Sequence, residues 1–172
     1  MVHVLVGSND DDFAAIVEAG QAGGSVNGWV VPKTAGIGDS VIMFTRSKGF
    51  VGRGAVASAL VPATFGKKQV HRADVGPITL FPAPVPLAYV SDRLPDWGWA
   101  TYPRSYTTPP APIVEALEAA FDDFHRDLGP LDGERAQFSE GRSYHDLGLR
   151  YERDPAARAA CIQHYGTACD VC

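Results

Sequence analysis

The stretch Gly38–Ala59, GDSVIMFTRSKGFVGRGAVASA, constrains the fold more than any other part of the chain. Its first half alternates, with Val41, Met43 and Thr45 set to one side and Ile42, Phe44 and Arg46 to the other. After Ser47-Lys48-Gly49 a second extended run begins, in which Val51, Arg53, Ala55 and Ala57 alternate with Gly52, Gly54, Val56 and Ser58. Two period-2 runs joined by a short glycine-containing turn predict a β-hairpin. Glycines at 49, 52 and 54 weaken a strand, so they mark a bulge, a bend or a close backbone approach.

The same region is basic. From Val41 to Arg72 the charged side chains are Arg46, Lys48, Arg53, Lys67, Lys68 and Arg72, with no acidic residue among them, although the chain carries −5 overall. A local field counts for more than a total when a phosphate backbone docks, so this segment predicts a polyanion-facing surface. A merely solvated basic face is the alternative. The 172 residues suit one domain with a small appendage, and the 18 glycines and 13 prolines favour short strands and turns over a helical bundle. No charged segment followed by an apolar core opens the chain, and no apolar run approaches about 20 residues, so a cytoplasmic protein without membrane contact is expected. Three cysteines crowded into the last twelve residues do not resemble a secreted disulfide framework.

In chain order, Val2–Val6 reads as a buried strand and Asp11–Ala19 as a helix capped by Asn9 or Asp10. Gly28–Pro32 reads as a strand, Leu60–Asp74 as a basic loop, and Pro77–Pro82 and Pro86–Val90 as proline-bounded edge strands. About six strands with short connections predict an α+β fold built on a small, partly closed barrel. Asp96–Tyr106 holds Trp97, Trp99, Tyr102, Arg104 and Tyr106 without clear periodicity. Such a loop is either a binding surface or a plug packed under the barrel. Trp29 likewise is either core or a stacking wall for a planar ligand. Ile113, Leu117, Ala120, Phe121, Phe124 and Leu128 recur at helical spacing, giving a packing helix ended by Gly129-Pro130. A polar linker follows over 131–149, then a short helix opened by Asp154-Pro155.

Two segments carry a family resemblance. On GDSVIMF, GFVGRGAV, Trp29 and the aromatic loop, residues 1–130 resemble an EVE domain, a PUA-like barrel related to YTH readers of methylated RNA. From Ser143 on, Arg150, Arg153, Arg158, His164, Gly166, Cys169 and Cys172 resemble the lead-in to an HNH nuclease domain, so 150–172 reads as the start of one. The second cysteine pair, the catalytic histidine and the metal ligands of that family are absent, so no catalysis is expected of this chain alone.

The resemblance implies the specificity part of a modification-dependent endonuclease. It would bind double-stranded DNA containing 5-methylcytosine or 5-hydroxymethylcytosine and flip the base into an aromatic pocket. Trp29, Trp97, Trp99, Tyr102 and Tyr106 would wall or rim that pocket, and Ser8, Asn9 and Asp10 would read the base edge. Arg46, Ser47, Lys48, Arg53, Lys67, Lys68 and Arg104 would hold the strand. No cofactor is expected for this chain; the parent enzyme would take a divalent metal for cleavage, with structural zinc and a homodimer as further expectations. Cys169 and Cys172 supply only half of a four-ligand zinc site, with His145 and His164 as weaker candidates. A stand-alone RNA-binding domain and a protein- or small-ligand-binding module are the competing readings.

Overall fold

The computed structural model describes residues 1–128 and two short strands at 143–145 and 149–151. The chain divides into two units, Met1–Pro130 and Leu131–Cys172. The first is α+β. Its elements run β1 (Val2–Gly7), α1 (Asp10–Gln21), β2 (Val26–Val31), β3 (Ser40–Thr45), β4 (Gly49–Ala55), β5 (Val61–Phe65), β6 (Lys68–Val75), β7 (Thr79–Val85), α2 (Leu87–Arg93), α3 (Gly98–Thr101) and α4 (Ala111–Asp127). In the second unit Ser143–His145 (β8) pairs antiparallel with Leu149–Tyr151 (β9). That hairpin falls where a polar linker is expected. The expected helix from Asp154, together with His164, Cys169 and Cys172, lies outside the described residues.

The expected hairpin is β3–β4, paired from Ser40–Ala55 to Thr45–Gly49. It sits inside a four-stranded sheet of order β1-β3-β4-β7, in which β1 runs parallel to β3. The predicted alternation sorts the side chains of β3 into two separate cores. Val41 and Met43 join Leu5, Ile16 and Val31 under α1. Ile42 and Phe44 join Phe50, Val90, Leu117 and Phe121 under the later helices. A strand buried on both faces thus divides the unit into two hydrophobic layers.

The second sheet has three strands, β2-β6-β5. It meets the first at one corner, through the bridge between Val56 and Val75. Among the described residues no closed barrel forms. Two local expectations are corrected. Leu60–Asp74 is the β5–β6 hairpin, closed by Gly66-Lys67 between the paired Phe65 and Lys68. Gly66 has φ 60°, as a primed two-residue turn requires at its first central position. After Pro86, Leu87, Val90 and Leu94 recur at helical spacing and dock on the second core, so this run is helix α2 and not a strand. Pro82 and Pro84 fall within β7, which pairs only with β4 and tolerates missing N–H donors at its edge.

Asn9 caps α1, its Oδ1 accepting from the Asp12 N–H at 3.0 Å. At the start of β3, Asp39 accepts from the Met1 ammonium at 2.6 Å and the Gly36 N–H at 2.8 Å. His3 Nε2 lies 3.2 Å from the same carboxylate. The Met1 ammonium foremost, then the Gly36 N–H and His3, hold the Asp39 carboxyl well below the usual carboxylate range, against the opposing effect of burial.

Two predictions follow from these contacts. A depressed folded pKa gives stability that is full above the unfolded value of about 4 and is lost as pH falls through the folded value. Urea midpoints of the parent protein should therefore fall with acidification below about pH 4, and Asp39→Asn should flatten that part of the profile. Gly49 and Gly66 both have positive φ, but a Cβ at Gly49 would strike the Val85 carbonyl, whereas nothing lies within 4 Å of one at Gly66. Gly66→Ala should cost about 1–2 kcal/mol of backbone strain. Gly49→Ala should cost clearly more in the same denaturant titration, because β7 must also move.

Candidate nucleic-acid interface

The β5–β6 hairpin carries Lys67, Lys68 and Arg72, three of the six cations of the predicted basic segment. Directly paired residues share a sheet face, so Phe65 and Lys68, Ala63 and Val70, and Val61 and Arg72 lie on one side of it. Phe65, Lys68, Val70 and Arg72 from that side line a groove of about 1010 Å³ together with residues of α1 and β2. The segment Arg104–Tyr106 reaches its lining together with Arg46. Four basic side chains line it, Arg46, Lys68, Arg72 and Arg104, against two acidic ones, Asp12 and Glu18.

The expected site residues divide. Ser8, Trp29, Arg46, Lys68, Arg104 and Tyr106 come together around this groove. Lys67 stands in the adjoining hairpin turn. Trp97 and Trp99 do not line it. Trp97 is 7% exposed in the second core, stacked on Trp99 with ring centroids 4.8 Å apart. Trp99 meets Phe44 edge-on at 5.4 Å. The reason is local: α3 turns the start of the aromatic segment inward with Ala100, so its first half packs as a plug. The second half returns to the groove. Trp99 Nε1 donates to the Ser105 carbonyl at 2.7 Å, and Arg46 donates to the Arg104 carbonyl at 3.0 Å. Trp99 therefore positions the groove's end without entering it.

The remaining expected residues lie outside the groove. Asn9 is spent on capping α1, and Asp10 is exposed in its first turn outside the groove. Arg53 pairs with Glu118 and lies over the Phe81 ring, on the side of α4. Lys48 sits 5.7 Å above the Phe13 ring, and neither it nor Ser47 lines the groove. Tyr102 is exposed beneath the Arg104 guanidinium, 4.3 Å from its ring, and does not line it either.

Arg72, Asp12, Phe65 and Gln69 belong to the site but were absent from the expected set. The alternation Val70, Arg72, Asp74 across Lys68–Val75 carried the signal for Arg72, once the segment is read as a strand. Asp12 Oδ2 accepts from the Ser8 N–H at 2.5 Å and its hydroxyl at 3.1 Å, which fixes the turn leading into α1.

Two donors stand out. Trp29 Nε1 and Arg72 Nε are buried without a hydrogen-bond partner among the described residues. Trp29, 8% exposed, belongs to the first core with Leu5, Ile16 and Val31, so the expectation of a stacking wall is corrected: its ring faces are covered although the residue borders the groove. Tyr106 and Phe65, 37% and 64% exposed, have ring surface available for stacking. A buried unpaired donor costs about 1–3 kcal/mol, which a ligand acceptor would recover.

The placement of Trp97 predicts a stability effect in place of a recognition effect. Trp97→Ala should lower the unfolding free energy by about 3–5 kcal/mol, read from urea denaturation, through loss of core packing. No family model, curated protein or solved structure matches the chain, so its chemistry must be read from its own residues.

Proposed function

We propose that the groove receives a base extruded from DNA, with modified cytosine as the ligand, and that this unit serves as the specificity domain of a modification-dependent HNH endonuclease. On this reading the unit is an opened member of the PUA-like EVE group, whose GDSVIMF and GFVGRGAV segments form β3 and β4. The observation that carries the proposal is the pair of unpartnered buried donors, Trp29 Nε1–H and Arg72 Nε–H, on residues lining a groove of net basic charge.

The chemistry is complementary to cytosine. Its Watson–Crick edge offers two acceptors, N3 and O2, suited to the two donors. Its exocyclic amine suits a carboxylate, and Asp12 and Glu18 are both in the lining. Tyr106 supplies a ring for stacking, while Lys68, Arg46 and Arg104 meet the phosphates flanking the extruded nucleotide. The volume stands at the top of the range of about 300–1,000 Å³ usual for ligand clefts, leaving room for a substituent at the base edge. Extrusion costs a few kcal/mol, which these contacts offset. Cleavage is assigned to the HNH nuclease domain whose lead-in the segment from Ser143 resembles, and not to this chain alone.

The test is a set of equilibrium titrations with duplexes carrying 5-methylcytosine, 5-hydroxymethylcytosine or plain cytosine, and with RNA of the same sequence. The parent protein should prefer a modified duplex. Trp29→Phe, which removes the N–H together with the five-membered part of the indole, should lower that preference about tenfold, the equivalent of one hydrogen bond. The slope of affinity against salt should stay unchanged. Equal binding of modified and plain duplex by the parent protein would sink the reading, and tighter binding of the RNA would replace it with an RNA-binding one.

A further inference from the structure

The β5–β6 hairpin ends in an apolar residue that the fold does not use. Phe65 is 64% exposed and belongs to neither hydrophobic core. It pairs with Lys68 across a two-residue turn, so Lys67 and Lys68 flank it at the extremity of the sheet. It also stands at the lip of the groove, sharing a hairpin face with Lys68, Val70 and Arg72. A large exposed ring paired with Lys68 and next to the Gly66-Lys67 turn keeps apolar surface in water within a basic stretch. It suits a polyanion that has an apolar interior, which a stacked duplex has.

We propose that Phe65 is a wedge that enters the base stack of duplex DNA at the step vacated by the extruded nucleotide, with Lys67 and Lys68 on the adjoining phosphates. The inference rests on the nucleic-acid reading of the groove and adds to it the residue that opens the duplex. Apolar side chains inserted between base steps unstack them and kink the helix, and the unstacking costs a few kcal/mol. A wedge on the same rigid hairpin as the groove's cations couples that opening to capture. The hairpin is suited to the task, since its pairing from Val61–Arg72 to Phe65–Lys68 is continuous to the turn.

The experiment compares Phe65→Ala and Phe65→Leu with the parent protein on three probes of one sequence: a fully paired duplex with 5-methylcytosine, the same duplex with that base mismatched, and the single strand. A wedge contributes only where there is a stack to open. Phe65→Ala should therefore weaken binding tenfold or more on the paired duplex, less on the mismatched one and under about threefold on the single strand. Phe65→Leu, still apolar, should recover most of the loss. Fluorescence of 2-aminopurine placed beside the modified base should rise on binding the parent protein and not on binding Phe65→Ala. An equal loss on all three probes, or no loss on the paired duplex, would overturn the wedge. The two proposals fail separately: a parent protein that shows this Phe65 dependence yet ignores the modification keeps the wedge and loses the modified-base reading. One that binds none of the probes loses both.

Discussion

The burial of β3 on both faces is the constraint on which the rest of this unit depends. Val41 and Met43 cannot leave the layer under α1 without Ile42 and Phe44 leaving the layer under α4, because a one-residue slip exchanges the two sets. Register is therefore fixed at the centre of the molecule. Parallel pairing with β1 on one side and antiparallel pairing with β4 on the other carry that register outward. The close approach of β7 to Gly49 and Gly52 transmits it further, since a side chain at either position would meet the β7 backbone or the residue after it.

That rigidity is what lets the groove be assembled from loops and an outlying hairpin. β1 ends at Gly7, and Ser8 and Asp12 follow at once, set by the cap of α1. β3 ends at Thr45, and Arg46 follows at once, with its guanidinium on the Arg104 carbonyl. The parallel strands thus deliver Ser8, Asp12 and Arg46 from beyond their carboxyl ends to one place, where ligands collect in open sheets. The third contribution, Arg104–Tyr106, is held by Trp99, which is itself locked against Phe44 on β3. An indole in the core sets the position of a tyrosine at the site, so packing and recognition share one chain of contacts.

Much of this was legible in the sequence, and what was not has a physical reason. The alternation of Val41–Phe44 gave the hairpin and its two faces, because period 2 with both sets apolar admits few other structures. The helix at Ala111–Asp127 was equally legible from its spacing. The basic run Leu60–Asp74 reads as a loop, because Pro62 and Ala63 conceal β5, whose pairing is set by β6 and the Gly66 turn and not by its own propensity. The tryptophans misled for a related reason. Aromatic density in an aperiodic stretch suggests a binding loop, but nothing local says which rings a neighbouring sheet will cover. Phe44 and Phe50 are distant in sequence, and they claim Trp99, while the second core takes Trp97 with it. Arg53 was lost to the site in the same manner, taken by Glu118 from a helix about sixty residues on.

The orphaned donors bear on how such a groove survives selection for folding. Leaving Trp29 Nε1–H and Arg72 Nε–H unpaired costs stability in the free protein. A phenylalanine at 29 would remove that N–H but also the five-membered half of a buried indole, whereas a valine at 72 would suit the β-strand and carry no donor. Fold stability alone therefore does not explain Arg72, while Trp29 also fills the first core. The cost makes sense if the partners arrive with a ligand, since donors already stripped of water give more to an acceptor than donors that must first be dehydrated. Such donors also penalise any ligand unable to accept from them, because binding it would seal the defect in place. On the proposed reading, discrimination comes from the groove being incomplete when empty, and it grows with the depth at which those two N–H groups are buried.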